Sequence, residues 1–123
     1  MLYFMVSITK QLGKIGEGIA AKYLQQKGYE ILAKNFLVRQ GEIDLICAKK
    51  KVTIFVEVKT RSNQNFGFPE AAVNQKKIER IILASQNYFL GQTKIGQWQI
   101  DVISILLNQK NQIVEIKHFE NIS

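Results

Sequence analysis

Two hydrophobic rhythms run along the chain, and they divide it into seven segments. From Lys10 to Lys27, Leu12, Ile15, Gly16, Ile19, Ala20, Tyr23 and Leu24 recur at helical spacing and define one face of an amphipathic helix. Gly28 is a natural stop, with Lys27 in the last turn. Tyr29 to Val38 predicts a strand interrupted by Lys34 and Asn35, and Gln40-Gly41 a turn. Glu42 to Ala48 and Val52 to Thr60 predict two more strands across the basic connection Lys49-Lys50-Lys51, short enough for an antiparallel hairpin. Arg61 to Phe68 is polar, contains Gly67 and reads as a loop. Pro69 suits the first position of a helix and Glu70 its first turn. That helix runs to about Leu90, with Ala71, Ile78, Ile81, Ile82, Ser85, Tyr88 and Phe89 inward, Lys76, Arg80 and Asn87 outward, and Gly91 ending it. Trp98 to Leu107 and Ile113 to Phe119 predict two final strands around the turn-like Asn108–Asn111. The order is helix, three strands, helix, two strands, an α/β (α+β) fold.

Charges interrupt the two hairpin strands, and side-chain alternation sorts them. In Gly41-Glu-Ile-Asp-Leu-Ile46, continued by Cys47, alternation puts Ile43, Leu45 and Cys47 on one face and Glu42, Asp44 and Ile46 on the other. In the next strand Val52, Ile54, Val56 and Val58 oppose Thr53, Phe55, Glu57 and Lys59. Each strand thus has one apolar face, expected to meet the core, and a partly wet face carrying charge beside a large apolar residue. Glu57 and Lys59 are two apart, so their Cα atoms lie roughly 6–7 Å apart on the same side. A hairpin register that aligns Asp44 with Glu57 brings two carboxylates together with a lysine nearby. Packed carboxylates repel, and either a proton or a divalent cation relieves them. Oxygen ligands favour Mg²⁺ or Mn²⁺ over zinc, and such a site suits phosphodiester hydrolysis with Lys59 beside it. Glu-x-Lys alone is commonly a salt bridge on a strand; the preceding Asp44, separated from Glu57 by twelve intervening residues, supplies the context. Glu17 falls at the edge of the first helix's apolar stripe, where position alone favours a solvated residue. Glu42 shares Asp44's face, as a second acidic contributor or a rim residue.

Composition narrows the partners. The 123 residues, 46% hydrophobic, form one domain. The formal net charge of +7 favours an anionic partner. Cys47 is the only cysteine, so an intrachain disulfide and a cysteine-based zinc site are excluded. His118, the only histidine, reads as a surface side chain. Residues 1–9 form an apolar N-terminal extension ahead of a single domain over 10–123, open as an added strand, an interface or an artefact of start-site choice. The extension falls far short of the ~20 residues of a membrane span and lacks the basic flank and cleavage site of a signal peptide. A cytoplasmic protein with no membrane partner is expected.

Asp44…Glu57-Val-Lys59 resembles the core of the PD-(D/E)XK nucleases. More closely, Gly16-Glu-Gly-Ile-Ala20, Gly41-Glu-Ile-Asp-Leu-Ile46, Phe55-Val-Glu-Val-Lys-Thr-Arg61 and Phe66-Gly-Phe-Pro69 look like the YraN-like family of predicted endonucleases, a likeness running from about Gly13 to Ile103. The resemblance implies a restriction-endonuclease-like core with a mixed central sheet. It implies Asp44, Glu57 and Lys59 as catalytic residues, with Asp44, Glu57, the Val58 carbonyl and Glu17 around Mg²⁺ or Mn²⁺. Glu17 matches the helix glutamate of related Holliday-junction resolvases, which outweighs the reading from its position alone. Those relatives are dimers on branched DNA, so a homodimer is expected by analogy. Ile43 stands where the superfamily has proline, and Leu37 and Gln99 where the family pattern often has arginine.

Arg61, Lys76, Lys77 and Arg80 are candidate phosphate contacts, with Lys49–Lys51 as a further patch. The leading expectation is a Mg²⁺-dependent endonuclease acting on DNA, favoured over RNA, including branched or structured DNA. The alternatives are a nucleic-acid-binding module that keeps the nuclease fold without cutting, and an interaction protein whose apolar N-terminal segment recruits a partner.

Overall fold

The computed structural model describes residues 2–62 and 74–122, with backbone alone for 2–9. Its elements follow the order read from the sequence: α1 (Leu2–Gln26), β1 (Glu30–Val38), β2 (Gly41–Lys49), β3 (Val52–Arg61), α2 (Gln75–Phe89), β4 (Gln97–Leu107) and β5 (Ile113–Phe119). The apolar N-terminal stretch is not an added strand; Leu2 to Thr9 are the first turns of the 25-residue α1. The predicted helix start at Pro69 and Glu70, Ala71 of its inward stripe and the Phe66–Pro69 loop lie outside the described residues. Within them, α2 is opened by Asn74, whose Oδ1 accepts from the Lys77 N–H at 3.0 Å.

The five strands form one sheet in the order β1-β2-β3-β4-β5. β2 and β3 are the expected antiparallel hairpin, with Ile46 opposite Phe55 and Leu45 opposite Val56. β3 and β4 run parallel, and the segment containing α2 makes the crossover such a pair needs. The sheet is therefore mixed.

Both faces of this sheet are buried, a correction to the one-core expectation. Against α1, Ala20, Ala21 and Leu24 pack on Leu45, Cys47, Ile54, Val56 and Ile103. Against α2, Ile81, Ala84 and Phe89 pack on Ile43, Ile46, Phe55 and Ile100. Phe55 meets Tyr88, Phe89 and Trp98 edge-on, at centroid distances of 5.8, 5.6 and 5.9 Å, an arrangement ring quadrupoles favour. The contacts with Tyr88 and Phe89 tie the end of α2 to β3, and Trp98 adds β4.

Strict alternation also fails in β2 between Ile43 and Leu45. Ile43 joins Ile46 and Phe55 in the α2-side core instead of Leu45 and Cys47. The cause lies across the ladder: Lys34 pairs with Leu45 and Phe36 with Ile43, and between them Asn35 has a left-handed φ of 51°. Left-handed backbone suits Asn better than most side chains. Its twist breaks the two-residue period in both paired strands.

His118 is a second correction, because its side chain is only 7% exposed. β5 lies beside β4 with His118 opposite Ile103, and the ring reaches the fully buried Asp101, Nε2 to Oδ2 at 2.7 Å. Asp101 Oδ1 also accepts from Gln99 Nε2 and the Asn121 N–H, both at 2.9 Å. Asp101→Ala would leave those donors without their acceptor inside the fold, at a cost of about 2–4 kcal/mol. A lower thermal midpoint, with Asp101→Asn losing less, is the expected result of a melting experiment.

Candidate metal centre

The candidate site forms where β2 and β3 part. Their ladder ends at Leu45 opposite Val56. Beyond that pair the Val58 N–H points at a side chain, donating to Asp44 Oδ2 at 2.8 Å. Continuing the register by one step sets Asp44 alongside Glu57, the convergence that alternation required.

α1 brings in the third carboxylate. Its approach to β3 is set by Gly16, where an added Cβ would collide with the Thr60 side chain. Glu17 follows directly, and Glu17, Glu42 and Asp44 each place a carboxylate oxygen within 4.8 Å of the other two. Glu42 is thus a member of the acidic group. Asn35 ties two of its members: with its amide nitrogen turned toward them, Nδ2 donates to Glu42 Oε1 at 2.8 Å and Glu17 Oε1 at 2.9 Å. Sequence reasoning passed over Asn35 as a strand interruption; the available signal was an Asn between strand residues, a residue type tolerant of left-handed backbone.

The electrostatics follow from burial and like charge. Asp44 is pushed up from 3.8 to about 7, first by burial and then by Glu57, against the opposing Val58 N–H. Glu17 is raised too, mainly by burial and then by Glu42. This is the repulsion a divalent cation relieves, and the donor set is all oxygen, which fits Mg²⁺ or Mn²⁺.

Glu57 lies close enough to this group to raise Asp44, and its Oε1 is held by two lysines. Its side chain is 4% exposed, and Oε1 meets Lys59 Nζ at 3.5 Å and Lys77 Nζ at 3.1 Å. Lys77, read from the sequence as a phosphate contact, is thus turned onto an acid of the site. Lys76 and Arg80 are exposed on α2. Arg61 is half-buried and donates from Nη1 to Thr60 O at 3.3 Å. Lys49, Lys50 and Lys51 sit at the β2–β3 turn, the opposite end of the hairpin; Lys49 Nζ donates there to Lys27 O at 2.8 Å.

Asp101, His118 and Glu120 are a second gathering of ligand-type atoms, already bonded internally through the Asp101–His118 contact. Cys47 is buried, and burial holds its thiol up to about 12, which makes it unreactive.

The fold is thus a mixed sheet between two helices, with an acidic group and a lysine where the central hairpin opens. Comparison with known proteins places the chain more narrowly. The profile of the uncharacterised protein family UPF0102 matches residues 16–105, and the chain belongs to that family, as the YraN-like motifs implied. It is 44% identical over 115 residues to a UPF0102 protein of Caldanaerobacter subterraneus subsp. tengcongensis, covering 91% of this chain and 93% of the relative. A UPF0102 protein of Alkaliphilus oremlandii is 45% identical over 118 residues, covering 93% and 98%. One from Flavobacterium psychrophilum is 36% identical over 110 residues, covering 89% and 91%. Among the described residues no helix is long and apolar enough to cross a membrane.

Proposed function

We propose that this protein is a Mg²⁺- or Mn²⁺-dependent endonuclease that hydrolyses phosphodiester bonds of DNA, branched or otherwise structured DNA included. The observation that carries the reading is the meeting of Glu17, Glu42 and Asp44 within 4.8 Å, beside a strand that carries Glu57 and Lys59. Like charge gathered this closely, with Glu17 and Asp44 half-buried, is costly to keep. A hydrolytic metal site gives it a use, and the chain's net charge of +7 suits a polyanionic substrate.

Asp44, Glu17 and Glu42 would hold the cation, with Glu57 and the Val58 carbonyl beside them. When bound, the metal supplies Lewis-acid polarisation of the phosphoryl oxygen and a hydroxide at neutral pH. The Val58 N–H fixes the Asp44 carboxylate, and Asn35 fixes Glu17 and Glu42. Lys59, 19% exposed and anchored by Glu57, orients the attacking water or stabilises charge on the phosphorane oxygens. Lys76 and Arg80 contact flanking phosphates, with Arg61 nearer the site. A homodimer would present two such sites to a branched substrate.

The test is a cleavage panel with Mg²⁺ or Mn²⁺: single-stranded, duplex, flapped and four-way-junction DNA, and RNA, each beside Lys59→Ala. The wild-type protein is expected to cut at least one DNA, and Lys59→Ala to slow cutting by about 10²–10⁴-fold with its melting temperature kept. Salt-sensitive binding without metal-dependent product on any substrate would favour the binding module instead. Wild-type rates from Lys59→Ala would remove the lysine from the mechanism.

A further inference from the structure

We propose that the Lys77 ammonium and a divalent cation compete for the Glu57 carboxylate, so that cation binding turns Lys77 outward to the substrate phosphate. The inference rests on the metal-site reading above.

Glu57 Oε1 carries two lysines among the described residues, and they differ in origin. Lys59 is on the same strand, two residues away, and keeps its position for as long as β3 exists. Lys77 comes from another element and makes the shorter contact, 3.1 Å against 3.5 Å. Its place in α2 is otherwise unfavourable. With Asn74 as the cap, Lys77 is the third residue of the helix, and the first turn contains Lys76 and Lys77 with no acidic residue. Cations there oppose the positive end of the helix dipole. An anion facing this turn offsets that cost, and Glu57 is such an anion. A phosphate would be another.

A divalent cation on Glu57 would sit within a few ångströms of both ammonium groups and repel them. Lys59 is the more enclosed. Lys77 is 36% exposed, against 19% for Lys59, and its four-carbon stem can swing without moving α2, which Phe55 and its ring partners hold. The released ammonium then stands at the helix N-terminus beside the site, where a substrate phosphate is its natural partner. Substrate and cation thereby favour one another through one lysine.

The competition predicts a counterintuitive result: removing a residue of the site strengthens metal binding. Calorimetric titration with Mn²⁺ alone should show Lys77→Met binding about 3–10-fold more tightly than wild type, an effect in the range of close charge pairs. Lys76→Met, which removes the same charge from the next residue without touching Glu57, should change affinity less than twofold. Lys77→Arg keeps the charge and should retain wild-type affinity, and it serves as a check if the methionine variant folds poorly. Unchanged or weaker Mn²⁺ binding by Lys77→Met, or equal tightening by Lys76→Met, would overturn the competition while leaving the metal site standing. A wild-type protein that binds no Mn²⁺ would remove both.

Discussion

Asp44→Asn is expected to abolish metal binding and cleavage and yet to melt at a higher temperature than the wild-type protein at pH 8. The gain in stability follows from the direction of the Asp44 shift. An aspartate titrates near 3.8 unfolded, and burial with the neighbouring Glu57 raises Asp44 to about 7 in the fold. Between those values the folded chain holds a proton that the unfolded chain has released. Stability from this group is therefore full below about pH 4 and lost as pH rises toward and through about 7. Glu17, also raised by burial and by Glu42, adds a change of the same sign. Asparagine is neutral throughout and keeps an oxygen to accept the Val58 N–H. Metal-free wild type should lose stability from pH 5 to 8 while Asp44→Asn stays flatter, ending more stable by on the order of 1–3 kcal/mol. Mg²⁺ should return stability to the wild type at pH 8 and not to the variant, and cleavage by the variant should fall by about 10³-fold or more. Thermal unfolding with chelator and with Mg²⁺ at both pH values measures all of this. A variant less stable than wild type at pH 8 would show that Asp44 is held by favourable contacts in place of repulsion.

The sites that stand out in the sequence and those that do not differ for a physical reason. The seven elements were legible because their hydrophobic periods are clean, and the hairpin because the basic connection is short. Asp44, Glu57 and Lys59 were legible because charge in a strand that buries its neighbours is rare. Asn35 was not, since its role depends on a left-handed backbone that alternation does not record, and that same kink moved Ile43 to the other core. Glu42's membership of the acidic group depends on how β1 twists against β2. Lys77 lay among the candidate phosphate contacts, but its turn onto Glu57 requires the packing of α2. His118 became internal through a partner, Asp101, seventeen residues away, a pairing no local pattern announces. What escaped the sequence is in each case an interaction between elements whose relative placement is set by tertiary packing.

Gly16 shows how tightly that placement is drawn, and Gly16→Ala should damage both stability and the site. Helix propensity argues the reverse, since alanine is favoured over glycine in a helix interior by about 1 kcal/mol. At Gly18, where an added Cβ meets nothing within 4 Å, propensity should win and Gly18→Ala should raise the melting temperature. At Gly16 the new Cβ would overlap Thr60 Oγ1 and come within 2.9 Å of Thr60 Cβ and 3.0 Å of Cγ2. Thr60 Cβ is fixed by β3, which is paired to β4 through Thr60 opposite Ile105, so it is α1 that must move. Overpacking of this kind costs about 1–3 kcal/mol, more than the propensity gain. The displacement also carries Glu17, the next residue, away from Asp44 and Glu42. Gly16→Ala should therefore melt lower and bind Mn²⁺ more weakly, whereas Gly18→Ala melts higher with binding unchanged. Adding Thr60→Ala to Gly16→Ala removes Oγ1 and Cγ2 and leaves only the 2.9 Å contact with Cβ, so the double variant should recover part of both losses. Equal behaviour of the Gly16 and Gly18 variants would mean that the helix is free to slide on the sheet, and that Glu17 owes its place to something other than this contact.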